Sequence, residues 1–263
     1  MRLNSLRDLE LAGIRWELCE NQSKKVSSRK SNPVRAEVAP KRTSVSSAAF
    51  GFAPDAAVIP PAAPIALSSA QSCAEGASNL SALCGAIAGF NHPLKQFVKN
   101  AVMPHFAENR GAGLLIITDA PSADDDGNAK ILTGTAGELM NKMLGAIGLS
   151  RDTVSIAPLV FWRTPGGRIP AREELDLAKP FVDRAIVLLK PKAILTLGIL
   201  TAAEIAKAKL PKDHGGQFES ENGIPVFPIY HPNYLMLKPD AKKDAWVALQ
   251  KLQKFLKNSP EPL

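Results

Sequence analysis

Residues 113–137 read Gly-Leu-Leu-Ile-Ile-Thr-Asp-Ala-Pro-Ser-Ala-Asp-Asp-Asp-Gly-Asn-Ala-Lys-Ile-Leu-Thr-Gly-Thr-Ala-Gly. Four consecutive aliphatic residues, Leu114 to Ile117, have the length and continuity of a strand buried on both faces of a parallel sheet. The run stops at Thr118-Asp119-Ala120-Pro121 and passes into a polar loop. An apolar helical pattern then starts near Ala136 and continues through Leu139, Met143, Leu144 and Ile147. A strand that feeds a loop at its carboxyl end, with a helix behind it, is where open α/β sheets hold ligands. The stretch therefore predicts a strand–loop–helix unit with a ligand-facing loop.

Downstream, the same alternation repeats. Val154–Phe161 reads as a second strand leading into the turn Arg163-Thr-Pro-Gly-Gly-Arg168, and Glu173–Leu189 reads as a helix. Ala193–Leu197 is a third strand, ending at Gly198, and Thr201–Ala208 is helical. Pro225–Tyr230 is a fourth strand, ending at His231-Pro232-Asn233-Tyr234. A closing helix, Ala241–Leu256, carries Trp246, Leu249, Leu252 and Leu256 on one face. Upstream, Asn79 is an N-cap candidate for a helix carrying Leu80, Leu83, Ile87 and Phe90. Strands alternating with helices predict a three-layer α/β/α fold with a central parallel four-stranded sheet over residues 79–258, followed by a tail at 259–263.

The first 78 residues have a different texture. Leu3, Leu6, Leu9, Leu11, Ile14 and Leu18 fall at roughly helical spacing and predict a short helix within residues 1–20. Residues 21–78 are rich in Pro, Ala and Ser, and Lys24, Lys25, Arg29, Lys30, Arg35, Lys41 and Arg42 are concentrated there. Such a segment buries too little apolar surface to offset its ordering entropy, which predicts a disordered basic linker. The net charge of +7 favours an anionic partner, nucleic acid first and an acidic membrane surface second, but most of that excess lies on the linker rather than the folded domain. Cys19, Cys73 and Cys84 are far apart with no C-x-x-C pair, against a disulfide framework or an all-cysteine cluster site. No apolar run approaches the ~18 residues that span a bilayer. Met1–Glu20 carries charges throughout, unlike a secretory signal, so the chain reads as cytoplasmic.

Three strand ends are candidates for chemistry: Thr118–Ser122, Phe161–Arg168 and Tyr230–Asn233. All should open on one edge of the sheet. His231 can donate a hydrogen bond or carry charge towards a ligand anion, though a strand-end histidine is commonly a turn residue. Asp124–Asp126 is a candidate to hold a metal or position water, with a solvated loop face as the favoured reading. Arg163 and Arg168 are candidates to grip phosphate, with a solvated loop as the alternative. His214, in Lys-Asp-His-Gly-Gly, is either a contact to a nucleic-acid backbone or an exposed loop histidine.

The succession Asp-Ala-Pro-Ser, Thr-Gly-Thr-Ala-Gly, Trp-Arg-Thr-Pro-Gly-Gly-Arg, Pro-Lys-Ala-Ile-Leu-Thr-Leu-Gly and Tyr-His-Pro-Asn-Tyr-Leu, closed by a Trp-bearing helix, resembles the uracil-DNA glycosylase superfamily. It is nearest the type-4 branch, and the likeness covers about residues 79–256. The resemblance implies a base flipped out of DNA, held by stacking and edge hydrogen bonds, and released when water cleaves its glycosidic bond. The acidic residue of the family's first motif, which positions that water, falls at Asp119, followed by Ala120 and Pro121. The family histidine that stabilises the departing uracil anion falls at His231, within His231-Pro232-Asn233.

Two base-holding positions depart from the family. The stacking Phe falls at Leu132, without the aromatic face and its roughly 1–3 kcal/mol. The Asn that reads the uracil edge falls at Pro158, which lacks even a backbone N–H. Ala120, Pro121, Leu132, Pro158 and Asn233 are thus the expected base pocket. Arg163, Arg168, His214 and Pro232 are the expected DNA contacts. The family's iron–sulfur ligand positions fall at His92, Trp162 and Ala178, with Cys84 out of register, so no four-iron cluster and no other metal is expected. The expected function is hydrolysis of the N-glycosidic bond of uracil or another deaminated base in DNA, by a monomer with DNA as partner and no membrane contact. The alternative is a weakened homologue that only binds DNA or a nucleotide, because Leu132 and Pro158 are altered. An unrelated nucleotide-binding α/β protein is disfavoured by the lack of G-x-G-x-x-G after the first strand.

Overall fold

A computed structural model of the chain describes residues 64–98, 101–107 and 113–259. The helix expected within residues 1–20 and most of the expected linker lie outside the described residues. The linker's expected end at residue 78 is corrected. Pro64–Glu75 is a helix, α1, and Ala70, Ala74 and Ala77 are buried in the core. Small residues at helical spacing let α1 pack closely, although the same Ala/Ser composition reads as linker when burial is unknown. Arg184 ties the segment down, donating through Nε and Nη2 to the Ala77 carbonyl at 2.9 and 2.6 Å.

After α1 come α2 (Leu80–Gly89), capped by Asn79 Oδ1 accepting from Ala82 N–H, and a 3-10 turn at Pro93–Phe97. The alternating unit follows as β1 (Leu114–Thr118), α3 (Ala123–Asn128), α4 (Gly134–Ala146) and β2 (Ser155–Pro158). Next are α5 (Arg172–Leu189), β3 (Ala193–Leu197), α6 (Ile199–Ala206) and β4 (Phe218–Glu219). The chain closes with β5 (Pro225–Ile229), α7 (Pro232–Leu237) and α8 (Lys242–Asn258). The sheet has five strands in the order β2-β1-β3-β5-β4. The four expected strands are the parallel ones. The fifth, β4, is a two-residue antiparallel addition at the edge, too short to leave a pattern in the sequence.

The aliphatic run of β1 divides by pleat. Leu115 and Ile117 join one core, under α1, α2, α5 and α6. Leu114 and Ile116 join the other, under α4 and α8. Strands buried on both faces with helices in both outer layers make the expected α/β/α sandwich. The strand order places a topological switch between β1 and β3. The chain leaves β1 towards β2 on one side and reaches β3 on the other, so their carboxyl-end loops part and leave a crevice.

Candidate active site

The crevice is a cleft of about 850 Å3. Its floor is made by the carboxyl ends of three parallel strands: Thr118 at the end of β1 with Asp119 beyond it, Gly198 after β3, and Tyr230 and His231 after β5. Gly198 N–H donates to Ile229 O at 2.9 Å, which locks two of these ends together. Gly198 has φ +102°, a conformation that disfavours any side chain. A Cβ there would lie 3.2 Å from Asp119 Oδ2 and 3.5 Å from His231 Cβ. The carboxylate and the imidazole therefore stand on either side of a deliberate gap.

Burial acts on both groups. It pushes the Asp119 carboxyl up to about 6, partly countered by the hydrogen bond its carboxylate accepts from the Thr201 backbone N–H. Asp119 Oδ1 is withdrawn from solvent and has no partner among the described residues. Burial pushes His231 down to about 4, with Asp125 opposing it weakly, so the ring is neutral at physiological pH. Its Nδ1 accepts from Asn233 N–H at 3.2 Å. The ring proton is therefore on Nε2, which lies 3.2 Å from Thr118 Oγ1.

The loop between β1 and α4 forms one wall, and Asp125 holds it. Asp125 is buried, which corrects the expectation of a solvated face at this one residue, while Asp124 is exposed. Its Oδ2 accepts from Ser122 N–H at 2.9 Å, closing a capping box on α3. Its Oδ1 accepts from Thr133 N–H at 2.6 Å and Thr133 Oγ1 at 2.8 Å. The carboxylate thus fastens the Asp-Ala-Pro-Ser loop to the start of α4. Between them Leu132 lies buried in the left-handed region at φ +54°. Arg151 grips the backbone behind it, donating to the carbonyls of Leu132 and Ile131. Gly137 is packed so closely on the Leu132 carbonyl that a side chain there would collide with it.

Asp119, Ala120, Pro121, Leu132, Asn233, Arg163, Arg168 and His231 all line the cleft. Pro158, Pro232 and His214 do not. Pro158 is buried at the end of β2, and Pro232 is buried at the start of α7. His214 is not an exposed loop residue. It stacks behind the Tyr230 ring at 4.0 Å, and Tyr230 in turn meets Tyr234 at 4.9 Å on the rim. Arg168 is bound through two nitrogens to the buried Glu174 carboxylate at 2.8 and 2.5 Å, so its charge is largely answered within the protein. Arg163 is less committed, reaching Asp126 only at 4.0 Å. Ile169, Ile199 and Leu237, all exposed, complete an apolar rim. Such a rim around a few convergent polar groups suits a flat, partly apolar ligand.

The sequence marks Thr118 and Tyr230 only as bounds of candidate strand ends, Asp125 only within an acidic run and Gly198 only as the glycine that ends one strand and opens a helix, and it gives none of the four a role of its own in the site.

The residues standing at the expected iron–sulfur positions do not fit a four-thiolate cluster. His92 and Trp162 stack on each other at 4.3 Å and 8°, both buried, with Phe90 and Phe161 against Trp162. Ala178 is also fully buried in that core. His92 spends both nitrogens on backbone, accepting from Leu94 N–H and meeting Glu174 O at 3.0 Å. Among the described residues no group of three or more His, Cys, Asp or Glu side chains is placed to hold a metal ion. No helix among them is long and apolar enough to cross a membrane.

A family model described as the uracil DNA glycosylase superfamily matches residues 104–253. A type-4 uracil-DNA glycosylase of Saccharolobus solfataricus is 32% identical over 177 residues, 64% of this chain and 81% of the relative. One of Pyrobaculum aerophilum is 31% identical over 156 residues, 56% of this chain and 79% of the relative. One of Archaeoglobus fulgidus is 27% identical over 145 residues, covering 52% and 73%.

Proposed function

The chain belongs to the uracil-DNA glycosylase superfamily, and from that premise we propose that it is a DNA glycosylase hydrolysing the N-glycosidic bond of uracil or another deaminated base. The carrying observation is the pairing of Asp119 and His231 across Gly198 at the floor of one cleft. The relatives bear the name of that activity, and nothing among them favours a binding-only role.

In this reading the target base leaves the DNA stack and enters between Leu132, Pro121 and the strand ends. The bond between the base nitrogen and C1′ breaks with both electrons going to the base. Negative charge then gathers on a base carbonyl oxygen, facing the neutral His231 side of the cleft. A neutral donor fixed beforehand stabilises that charge without reorganising, the largest single contribution in many such sites. Asp119 holds water against C1′ and takes its proton, which requires the carboxylate form. With Asp119 near 6 and His231 near 4, both groups are in the working state above about pH 6. Leu132 fills space against the base but gives less stacking than a ring, so excision is expected to be easier from mispaired or single-stranded DNA, where flipping costs less. Arg163 is the expected phosphate contact of the rim. Arg168 shapes the loop through Glu174 instead. No iron–sulfur cluster enters this reading, since the His92–Trp162 stack occupies that part of the core.

The test is single-turnover excision from oligonucleotides carrying one uracil, with enzyme in large excess and alkali cleavage of the abasic product. Cleavage that disappears with His231→Ala or Asp119→Asn supports the reading. Absence of cleavage with uracil and with other deaminated bases would overturn it.

A further inference from the structure

The tautomer of His231 has a consequence for what actually faces the base. Nδ1 is taken by Asn233 N–H, so Nε2 carries the only ring proton, and that proton points at Thr118 Oγ1, 3.2 Å away. The hydroxyl accepts it. Among the described residues, Thr118 Oγ1 has no other hydrogen-bond partner, and Thr118 lines the cleft. Its own O–H proton is therefore free to turn towards a ligand. We propose that Thr118 is a catalytic residue, whose hydroxyl donates to the carbonyl oxygen of the departing base while His231 Nε2–H donates to that hydroxyl from behind.

The proposal rests on the glycosylase reading and deepens it. No proton changes owner in this step. Electrons from the broken C1′–N bond settle on the base, and the two hydrogen bonds in series shorten as the oxygen becomes negative. Hydrogen bonds in a chain polarise one another, so the imidazole acts on the anion through the hydroxyl. Thr118 is buried at the last position of β1, and its backbone O accepts from Leu159 N–H at 2.8 Å. The strand thereby fixes the residue's backbone and His231 Nε2 holds the hydroxyl oxygen before substrate arrives, which is the condition under which a donor of this kind counts most. A Val at the same position keeps the β-branched shape and the strand preference but removes the donor.

The test compares the full chain with Thr118→Val, Thr118→Ala and Thr118→Ser, on single-stranded oligonucleotides carrying one uracil or one 5-fluorouracil. Fluorine withdraws charge, so 5-fluorouracil leaves as a more stable anion and needs less help. The expected result is a loss of about 100-fold on uracil for both Val and Ala, with a clearly smaller loss on 5-fluorouracil. Ser, which restores the hydroxyl, should return both rates to within about threefold of the parent. Folding is checked by thermal melts of each variant. Val and Ala rates within about twofold of the parent, faster rates, or equal losses on the two bases would overturn the proposal. Parent protein inert on both substrates overturns the glycosylase reading itself, and this step with it.

Discussion

The molecule contains two His-Pro turns with nearly the same local structure and opposite uses. His92 caps the turn Pro93–Phe97 and His231 caps α7. Each accepts through Nδ1 from the N–H two residues on, at 3.2 Å in both cases, and each is held below the ordinary histidine range by burial. Both are thus neutral donors through Nε2. At His92 that proton meets the Glu174 carbonyl at 3.0 Å, under a stacked Trp162, and its capacity is used up by the fold. At His231 it meets a hydroxyl on the floor of an open cleft. The difference shows that a turn motif fixes the tautomer, while the partner of the remaining nitrogen decides between architecture and chemistry.

Exchanging the readouts of the two histidines gives the widest separation. His231→Ala should lower single-turnover excision by about 10³-fold and leave the melting transition little changed, because the residue is only half-buried. His92→Ala should do the reverse, costing ~3 kcal/mol in urea unfolding through lost ring packing and unpaired backbone groups. If both variants lose stability alike, the contrast between the two turns fails.

Asp119 sharpens the same contrast, since chemistry there works against stability. Its folded pKa near 6 lies above the ordinary 3.8. The protonated form is therefore favoured by folding, and this contribution is complete below about pH 4 and lost as pH rises through 6. Asp119→Asn imitates the protonated carboxyl. It should be more stable than the parent by up to ~3 kcal/mol near pH 8, with the difference vanishing near pH 4. Excision by the parent should rise with pH through about 6 and then level off. Equal unfolding curves for the two proteins near pH 8 would show that the carboxyl is not strained by burial.

Gly198→Ala tests the gap between the two groups. A methyl there meets Asp119 Oδ2 at 3.2 Å in a backbone conformation at φ +102°. A loss of about 30-fold in excision is expected with modest destabilisation. Leu132→Phe should have the smallest effect, a gain of several-fold if stacking on the base is what the site lacks. Unchanged rates on single-stranded substrate would place the limiting step elsewhere.

Much of this organisation was legible because it is local. The double-sided strand at Leu114–Ile117, the Asn79 cap, the order of strands and helices and the ends at Asp119 and His231 follow from patterns a few residues long. Asp125 was misread because a carboxylate in an acidic run looks solvated until the Thr133 backbone, eight residues on, is known to close on it. Arg168 looked like a phosphate ligand until Glu174 answered its charge. His214 read as either a nucleic-acid backbone contact or an exposed loop residue until Tyr230 stacked on it. The Ala-rich segment at 64–78 looked like linker until Arg184, more than a hundred residues away in sequence, bound its carbonyl. What the sequence by itself determined was the fold class and the strand ends at Asp119 and His231, since these arise from short-range sterics and hydrogen bonds. What only the tertiary structure decided was which buried polar atoms are satisfied. That depends on partners such as Glu174 for His92 and Thr118 for His231, 82 and 113 residues distant, whose meeting no local pattern encodes.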